Sequence, residues 1–253
     1  VAKPSGWRQK WNDELEANGL DATRFRSVDI TPEVRQEMEN IEAMARINGT
    51  YMKAPNGADT KLDPEQWAMV RTQAFKDWFG DWENEDVLEE QIMYLDQNGE
   101  PRVFTHNTNA SFTTFEKTQQ TDAGWLGQGF YFYGEADDYI RDAYGKNQME
   151  VFIKTENPYF ISDDEYEELS TRDDREYSEE FTQRLIDEGY DSVYYNGNLN
   201  YEVCVFDPNQ IKSATDNNGE FSTRDNDIRF RTILAASEIR ENGLNVFLEA
   251  HRQ

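Results

Sequence analysis

Three side chains of different chemistry stand in short strand-like runs: an imidazole at His106, an aromatic ring at Tyr131 and a carboxylate at Glu202. Glu202 lies in Tyr201-Glu202-Val203-Cys204-Val205-Phe206, where an unpaired buried charge would be too costly. The carboxylate must be solvated in a cleft, hydrogen-bonded or protonated. A glutamate on an edge strand, pointing to water, is the competing reading. His106 follows Val103-Phe104-Thr105 and precedes Asn107-Thr108-Asn109, so it stands where a strand opens into a loop, a common place to meet a ligand. The other histidine, His251, is near the carboxyl end, which leaves His106 as the internal imidazole; taken alone it also reads as a structural histidine. Gly127-Gln128-Gly129 lets backbone approach another body closely before Phe130-Tyr131-Phe132-Tyr133. Alternation sends Tyr131 and Tyr133 to one sheet face and the two phenylalanines to the other. One tyrosine could stack on a ligand ring, or both could line a wet face of an aromatic strand.

The elements that must hold these groups are legible from turn and cap signals. Thr31-Pro32-Glu33 begins a helix whose apolar positions are Val34, Met38, Ile41 and Ile47, and Asn48-Gly49 ends it. Asp63-Pro64-Glu65 begins a second helix, with Trp67, Val70, Ala74, Phe75 and Trp78 tracing one face before Gly80. Such amphipathic helices bury their apolar face within their own chain, so the sequence predicts that they cap the strands. Between them, Ala54-Pro55-Asn56-Gly57 reads as an exposed loop. From Gly80 to Asp86 the pattern changes to strands: Gln91 to Leu95 and Arg102 to His106 flank an Asn98-Gly99 hairpin turn. Further strands are expected at Gly129 to Tyr133, Glu150 to Lys154, Ser192 to Asn196 and Tyr201 to Asp207. Helices are expected at Ala136 to Tyr144, Asp163 to Leu169 and Ser178 to Glu188. Asp216 to Arg229 reads as an extended loop, and Ile233 to Leu248 can form a helix that Gly243 weakens.

Composition narrows the classes. Across 253 residues, 51 acids stand against 25 bases, a formal charge of -26 that repels phosphate backbones and anionic lipid surfaces. Nucleic acid and membrane are therefore not the expected partners, and no stretch approaches the roughly 18 apolar residues of a bilayer span. The one cysteine, Cys204, excludes an internal disulfide and a multi-thiolate zinc site, and its apolar neighbours mark it as a buried structural thiol. The acid runs read as solvated helix faces, Asp216 to Glu220 lacks EF-hand spacing, and no metal is implied. Nothing selects the carboxylate pair of a glycosidase. A lone Gly-x-Gly does not make a Rossmann site.

Taken jointly, three strings resemble the His-Tyr-Glu branch of ADP-ribosyltransferases: Thr105-His106-Asn107-Thr108 in the position of the family's HxT strand, Gly129-Phe130-Tyr131-Phe132 as its GxYF string, and Tyr201 to Phe206 as the strand bearing the catalytic glutamate. Ala136 to Tyr144 is similar to the family's helix ending in an aromatic. The resemblance covers roughly Gln91 to Arg231. Segments around Phe75 to Trp82 and Phe206 to Ser213 also resemble modules of phage and mobile-element proteins of gut bacteria.

The resemblance implies an α+β fold, an ADP-ribosyltransferase-like split β-sandwich, with a helical N-terminal subdomain over residues 1–86, a catalytic domain over 87–232 and a C-terminal helix over 233–253. It implies NAD as substrate and no metal. His106 would hydrogen-bond a ribose hydroxyl of NAD, the Asn107 backbone would hold the carboxamide, and Thr108 would support that loop. Tyr131 and Tyr144 would sandwich the nicotinamide. Glu202 would bond the 2'-hydroxyl of the nicotinamide ribose and stabilise the cation that grows as the glycosidic bond breaks. Glu202, His106 and Tyr131 form the expected catalytic set. Asn107 departs from the common HGT or HGS form, and Asn200, two residues before Glu202, is neither the Glu nor the Gln that in the family goes with a particular acceptor. The expected activity is protein mono-ADP-ribosylation by a bacterial, prophage-linked toxin or effector, acting as a secreted protein or in the bacterial cytoplasm. Host signalling or cytoskeletal proteins are the first guess for the acceptor. An NAD glycohydrolase and a silent binding module of a phage polyvalent protein are the alternatives.

Overall fold

Thr31 accepts a hydrogen bond from the Val34 amide, Pro32 occupies the first helical position, and helix α1 (Pro32–Asn48) runs until Gly49 turns left-handed at φ 73. The computed structural model describes residues 30–83, 94–117, 124–134, 142–171, 175–197 and 201–229. Helix α1 buries Val34, Met38 and Ala45. Ile47, expected on that face, is 78% exposed. At about 100° per residue it stands roughly 140° around the helix from Val34.

The second expected helix is two: α2 (Pro64–Met69) and α3 (Gln73–Phe79). The break follows from Thr72, whose side chain accepts from the Phe75 amide as a new N-cap while its hydroxyl donates to the Met69 carbonyl at 2.7 Å. At the start of α2, Asp63 and Gln66 form a reciprocal capping box. The apolar face is buried within the chain as expected: Phe75 meets the rings of Phe152 and Phe221 at 5.1 and 5.0 Å, and Trp78 stacks on Phe221.

A buried ion pair fixes these helices to the turn before the strands. The Arg71 guanidinium lies 4.1 Å over the Trp67 ring and donates to Glu100 at 2.7 Å, while Thr60 donates to the other Glu100 oxygen at 2.5 Å. Glu100 is 1% exposed, so it depends on these partners. It closes the expected Asn98-Gly99 turn, in which the Asp96 amide donates to the Glu100 carbonyl.

Among the described residues seven strands follow: β1 (Phe104–Thr108), β2 (Phe130–Tyr133), β3 (Asn147–Ile153), β4 (Pro158–Phe160), β5 (Ser192–Asn196), β6 (Tyr201–Val205) and β7 (Ile211–Ser213). Their order is β4-β5-β6-β2-β1-β3-β7, antiparallel except for β4 beside β5. This is a mixed α+β fold with an N-terminal helical region and one mostly antiparallel sheet. Short β4 and β7 were not expected; three residues carry too little alternation to read. The strand from Gln91 starts outside the described residues, as do most of the helix expected from 136 and all of the C-terminal helix from 233; residues 142–144 are helical.

The sheet has a seam. Strands β1 and β3 pair from Phe104 to Thr108, and β2 and β6 pair from Phe130 to Tyr133. Between β1 and β2 the register joins Thr105 to Tyr133 alone.

Two cores flank this arrangement. The larger joins Trp67, Phe75 and Trp78 of the N-terminal helices with Phe104, Phe132, Val151, Val203 and Ile211 from both sides of the seam. The smaller lies under helices α4 (Asp163–Ser170) and α5 (Arg175–Asp187), where Leu169, Phe181 and Leu185 meet Val193 and Cys204. Cys204 is fully buried, as expected of a structural thiol. The stretch after β7 is a loop, as expected, and returns to the start of α1, where the Thr31 amide donates to the Asn218 carbonyl at 3.1 Å.

Candidate functional site

At the seam the side chains replace the ladder. The His106 Nδ1 lies 2.9 Å from the Tyr131 carbonyl, which can only accept, so the ring carries its proton on Nδ1. Its edge and face are packed by Phe115, Phe132 and Phe112, with ring centroids at 5.1, 5.6 and 6.1 Å. Burial lowers the imidazole's pKa, opposed by the bond to Tyr131, so the ring is neutral near pH 7. The next residue, Asn107, is buried and donates from Nδ2 to the Gly145 carbonyl at 3.0 Å. Gly145 has φ 132, and a Cβ there would fall on the Thr108 backbone, so only glycine permits this approach. The asparagine side chain thus ties β1 to the residue after Tyr144.

Across the sheet, register places Tyr195, Glu202, Tyr133 and Thr105 in one row on one face, on strands β5, β6, β2 and β1. Tyr131 sits two residues along β2 on the same face, opposite Cys204. Its hydroxyl is fully used: it accepts from the Leu126 amide and donates to the Gly127 carbonyl, both at 2.7 Å. Gly124 has φ 78, and a Cβ there would press on that hydroxyl. The Gly-rich turn therefore serves to wrap Tyr131.

Glu202 is half-buried, and Tyr166 of α4 donates its hydroxyl to Glu202 Oε2 at 3.2 Å. The Tyr133 hydroxyl is pushed far up in pKa, by burial first and by the neighbouring Glu202 charge second. Tyr144, 40% exposed, leans over Tyr133 with ring centroids 6.4 Å apart.

A cleft of about 1200 Å³ unites these groups; His106, Asn107, Thr108, Tyr131, Tyr144 and Glu202 all line it. Every site residue expected from sequence therefore meets in one cavity. Sequence reading had placed Tyr133 only on a face and had passed over Tyr166 and Trp125. The signal for Tyr166 was a lone aromatic in the acid run Asp163-Asp164-Glu165-Tyr166-Glu167-Glu168. Among the described lining residues are two carboxylates, Glu116 and Glu202, and no lysine or arginine.

Residues 96–221 match the family model described as ADP-ribosyltransferase in polyvalent proteins. That ADP-ribosyltransferase match begins at the turn closed by Glu100 and ends in the loop after β7, so it takes in the seam, the cleft and all seven strands. It supports a function related to ADP-ribosylation and leaves the N-terminal helices outside. No curated protein and no solved structure matches the chain. Among the described residues, no cluster of three or more His, Cys, Asp or Glu is placed to hold a metal ion, and no helix is long and apolar enough to cross a membrane.

Proposed function

We propose that the protein is a mono-ADP-ribosyltransferase that moves ADP-ribose from NAD to a protein acceptor and releases nicotinamide. The observation that carries this reading is Glu202 in register between two tyrosines, on the wall of the cleft that the His106-Asn107-Thr108 strand also lines.

The groups fit NAD chemically. Nicotinamide in NAD is a pyridinium cation, and electron-rich tyrosine faces beside a carboxylate suit it. Tyr131, Tyr133 and Tyr144 all line the cleft, and Tyr131 and Tyr144 are the pair proposed to hold the nicotinamide. The diphosphate would meet amide and hydroxyl donors, such as Thr108, Asn109, Thr113 and Thr114, in place of the cations missing among the described lining residues. With Nδ1 committed to the Tyr131 carbonyl, His106 keeps Nε2 for a ribose hydroxyl.

In this reading the C1'–N bond breaks with its electron pair leaving on nicotinamide, which departs neutral. Positive charge develops on the ribose, and the Glu202 carboxylate stabilises it while holding the 2'-hydroxyl. A nucleophilic side chain of the acceptor then attacks C1' and loses its proton to solvent. No metal takes part. The split-sandwich reading of the fold follows, with the ribbons on either side of the seam acting as the two sheets around the substrate. A prophage-encoded bacterial effector that modifies a host signalling or cytoskeletal protein, or a protein of the bacterial cytoplasm, is part of the same proposal.

The test compares wild type with Glu202→Gln in biotin-labelled NAD and lysates of bacterial and animal cells. Expected are labelled protein bands and nicotinamide release from wild type, both lost in the variant while its circular dichroism is unchanged. Nicotinamide without labelled bands would replace the transferase by an NAD glycohydrolase. Failure of wild type to bind NAD by calorimetry would leave a silent binding module.

A further inference from the structure

The carboxylate at the centre of the site meets a helix, α4, that follows β4 in the chain. Ser162 and Glu165 cap α4 reciprocally, which fixes the helix start. The next residue is Tyr166. Its ring lies flat on Tyr195, with centroids 3.8 Å apart and planes within 5°. Tyr195 is itself the cross-strand partner of Glu202 on β5. The stack holds the ring, and from there the Tyr166 hydroxyl meets Glu202 Oε2 at 3.2 Å.

We propose that Tyr166 is the positioning residue for Glu202: its hydroxyl, aimed by the stack on Tyr195, sets the rotamer of the carboxylate and favours its charged form. The inference rests on the role given to Glu202 above. A carboxylate on a strand spreads its charge over several orientations unless donors hold it, and the Tyr166 hydroxyl is one such donor. Catalysis needs the carboxylate in one orientation. A hydroxyl donor also stabilises the carboxylate over the carboxylic acid, since only the ionised group accepts through both oxygens without a proton of its own. Tyr166 remains a donor at working pH, because burial and the Glu202 charge both raise its pKa. The residue is not a catalytic group in this scheme. It touches Glu202 and leaves the reacting carbon to the carboxylate.

Tyr166→Phe isolates the hydroxyl, because phenylalanine keeps the ring on Tyr195. Expected is a fall of about tenfold in kcat for nicotinamide release, which corresponds to about 1.4 kcal/mol, with KM for NAD changed less than twofold. The acid limb of kcat should move to higher pH, and the Glu202 side-chain carboxyl, followed by carbon-13 NMR, should titrate at higher pH than in wild type. Tyr159→Phe serves as the control for disturbance of α4, since its hydroxyl meets Glu165 and not Glu202; wild-type kcat is expected. A Tyr166→Phe enzyme with wild-type kcat and an unmoved Glu202 titration would overturn the proposal and leave Tyr166 as packing. The NMR titration needs no turnover. If wild type released no nicotinamide, the functional reading would fail, while a shifted carboxyl titration would still establish the Tyr166 to Glu202 link.

Discussion

His106→Phe separates what the imidazole does for the fold from what it offers a ligand. Phenylalanine retains a ring among Phe112, Phe115 and Phe132, so the aromatic packing survives. The Tyr131 carbonyl loses the donor it had at 2.9 Å. Removing a buried donor from its acceptor costs roughly 1–3 kcal/mol, and at about 2 kcal/mol the melting temperature of a chain this long should fall roughly 4–8 °C. The pH dependence gives the sharper test. Burial lowers the pKa of His106 below the ordinary imidazole value of 6.5, so the unfolded chain binds the proton more readily than the folded one. Wild type therefore keeps the full benefit of the neutral ring above about pH 6.5 and loses it as pH falls below that value, where folding must exclude the proton. The variant has nothing to titrate at that position. Urea denaturation of both proteins at pH 7.5, 6.5 and 5.5, followed by tryptophan fluorescence, should show the variant less stable at pH 7.5 and the gap narrowing toward pH 5.5. Carboxylate titration is common to both and cancels in the difference. A gap that stayed constant or widened on acidification would refute the neutral, donating imidazole, and no gap at pH 7.5 would refute the hydrogen bond's contribution.

Two further outcomes follow from contacts near the site. Asn107→Gly removes the amide that grips the Gly145 carbonyl and so loosens Tyr144; at the net worth of one hydrogen bond, KM for NAD should rise roughly threefold to tenfold, with kcat for nicotinamide release changed less, as read by steady-state kinetics. Glu100→Gln leaves the buried Arg71 guanidinium without its closest carboxylate; breaking such a pair costs about 3 kcal/mol, so calorimetry should show a melting temperature lower by roughly 6–12 °C.

The site was more legible than the scaffold because its members announce themselves by being out of place. A glutamate in an apolar strand and a histidine where a strand opens are local signals, and the structure brings both to one cleft with Tyr131 and Tyr144. What the sequence hid was relational. Tyr166 sits among acids on an exposed-looking helix, and only the pairing of β5 with β6 brings Tyr195, and Tyr166 upon it, to Glu202. Tyr133 and Tyr131 are equivalent by alternation, and the difference between them comes from distant chain: the turn at Gly124 to Gly127 occupies the hydroxyl of one, while Tyr144 leans over the other. Asn107 read as a departure from the HGT form, yet its side chain has a partner 38 residues away that no spacing rule could supply. In the scaffold, cap signals at Thr31 and Asp63 located the helix starts, whereas the break at Thr72 was masked by an apolar spacing that continued across it.

The single register pair between β1 and β2 gives the molecule a line of mechanical weakness through its working centre. Along every other strand boundary, opening requires several directional backbone bonds to break together. Along this one, side chains make the joint: His106 Nδ1 on the Tyr131 carbonyl, the Thr105 hydroxyl on the Tyr133 carbonyl, and the apolar core that Phe104, Val151 and Ile211 share with Phe132 and Val203. Substitutions at His106 and Thr105 therefore reach the joint between the two halves of the sheet, which at the other boundaries is carried by backbone bonds that a side-chain change leaves in place.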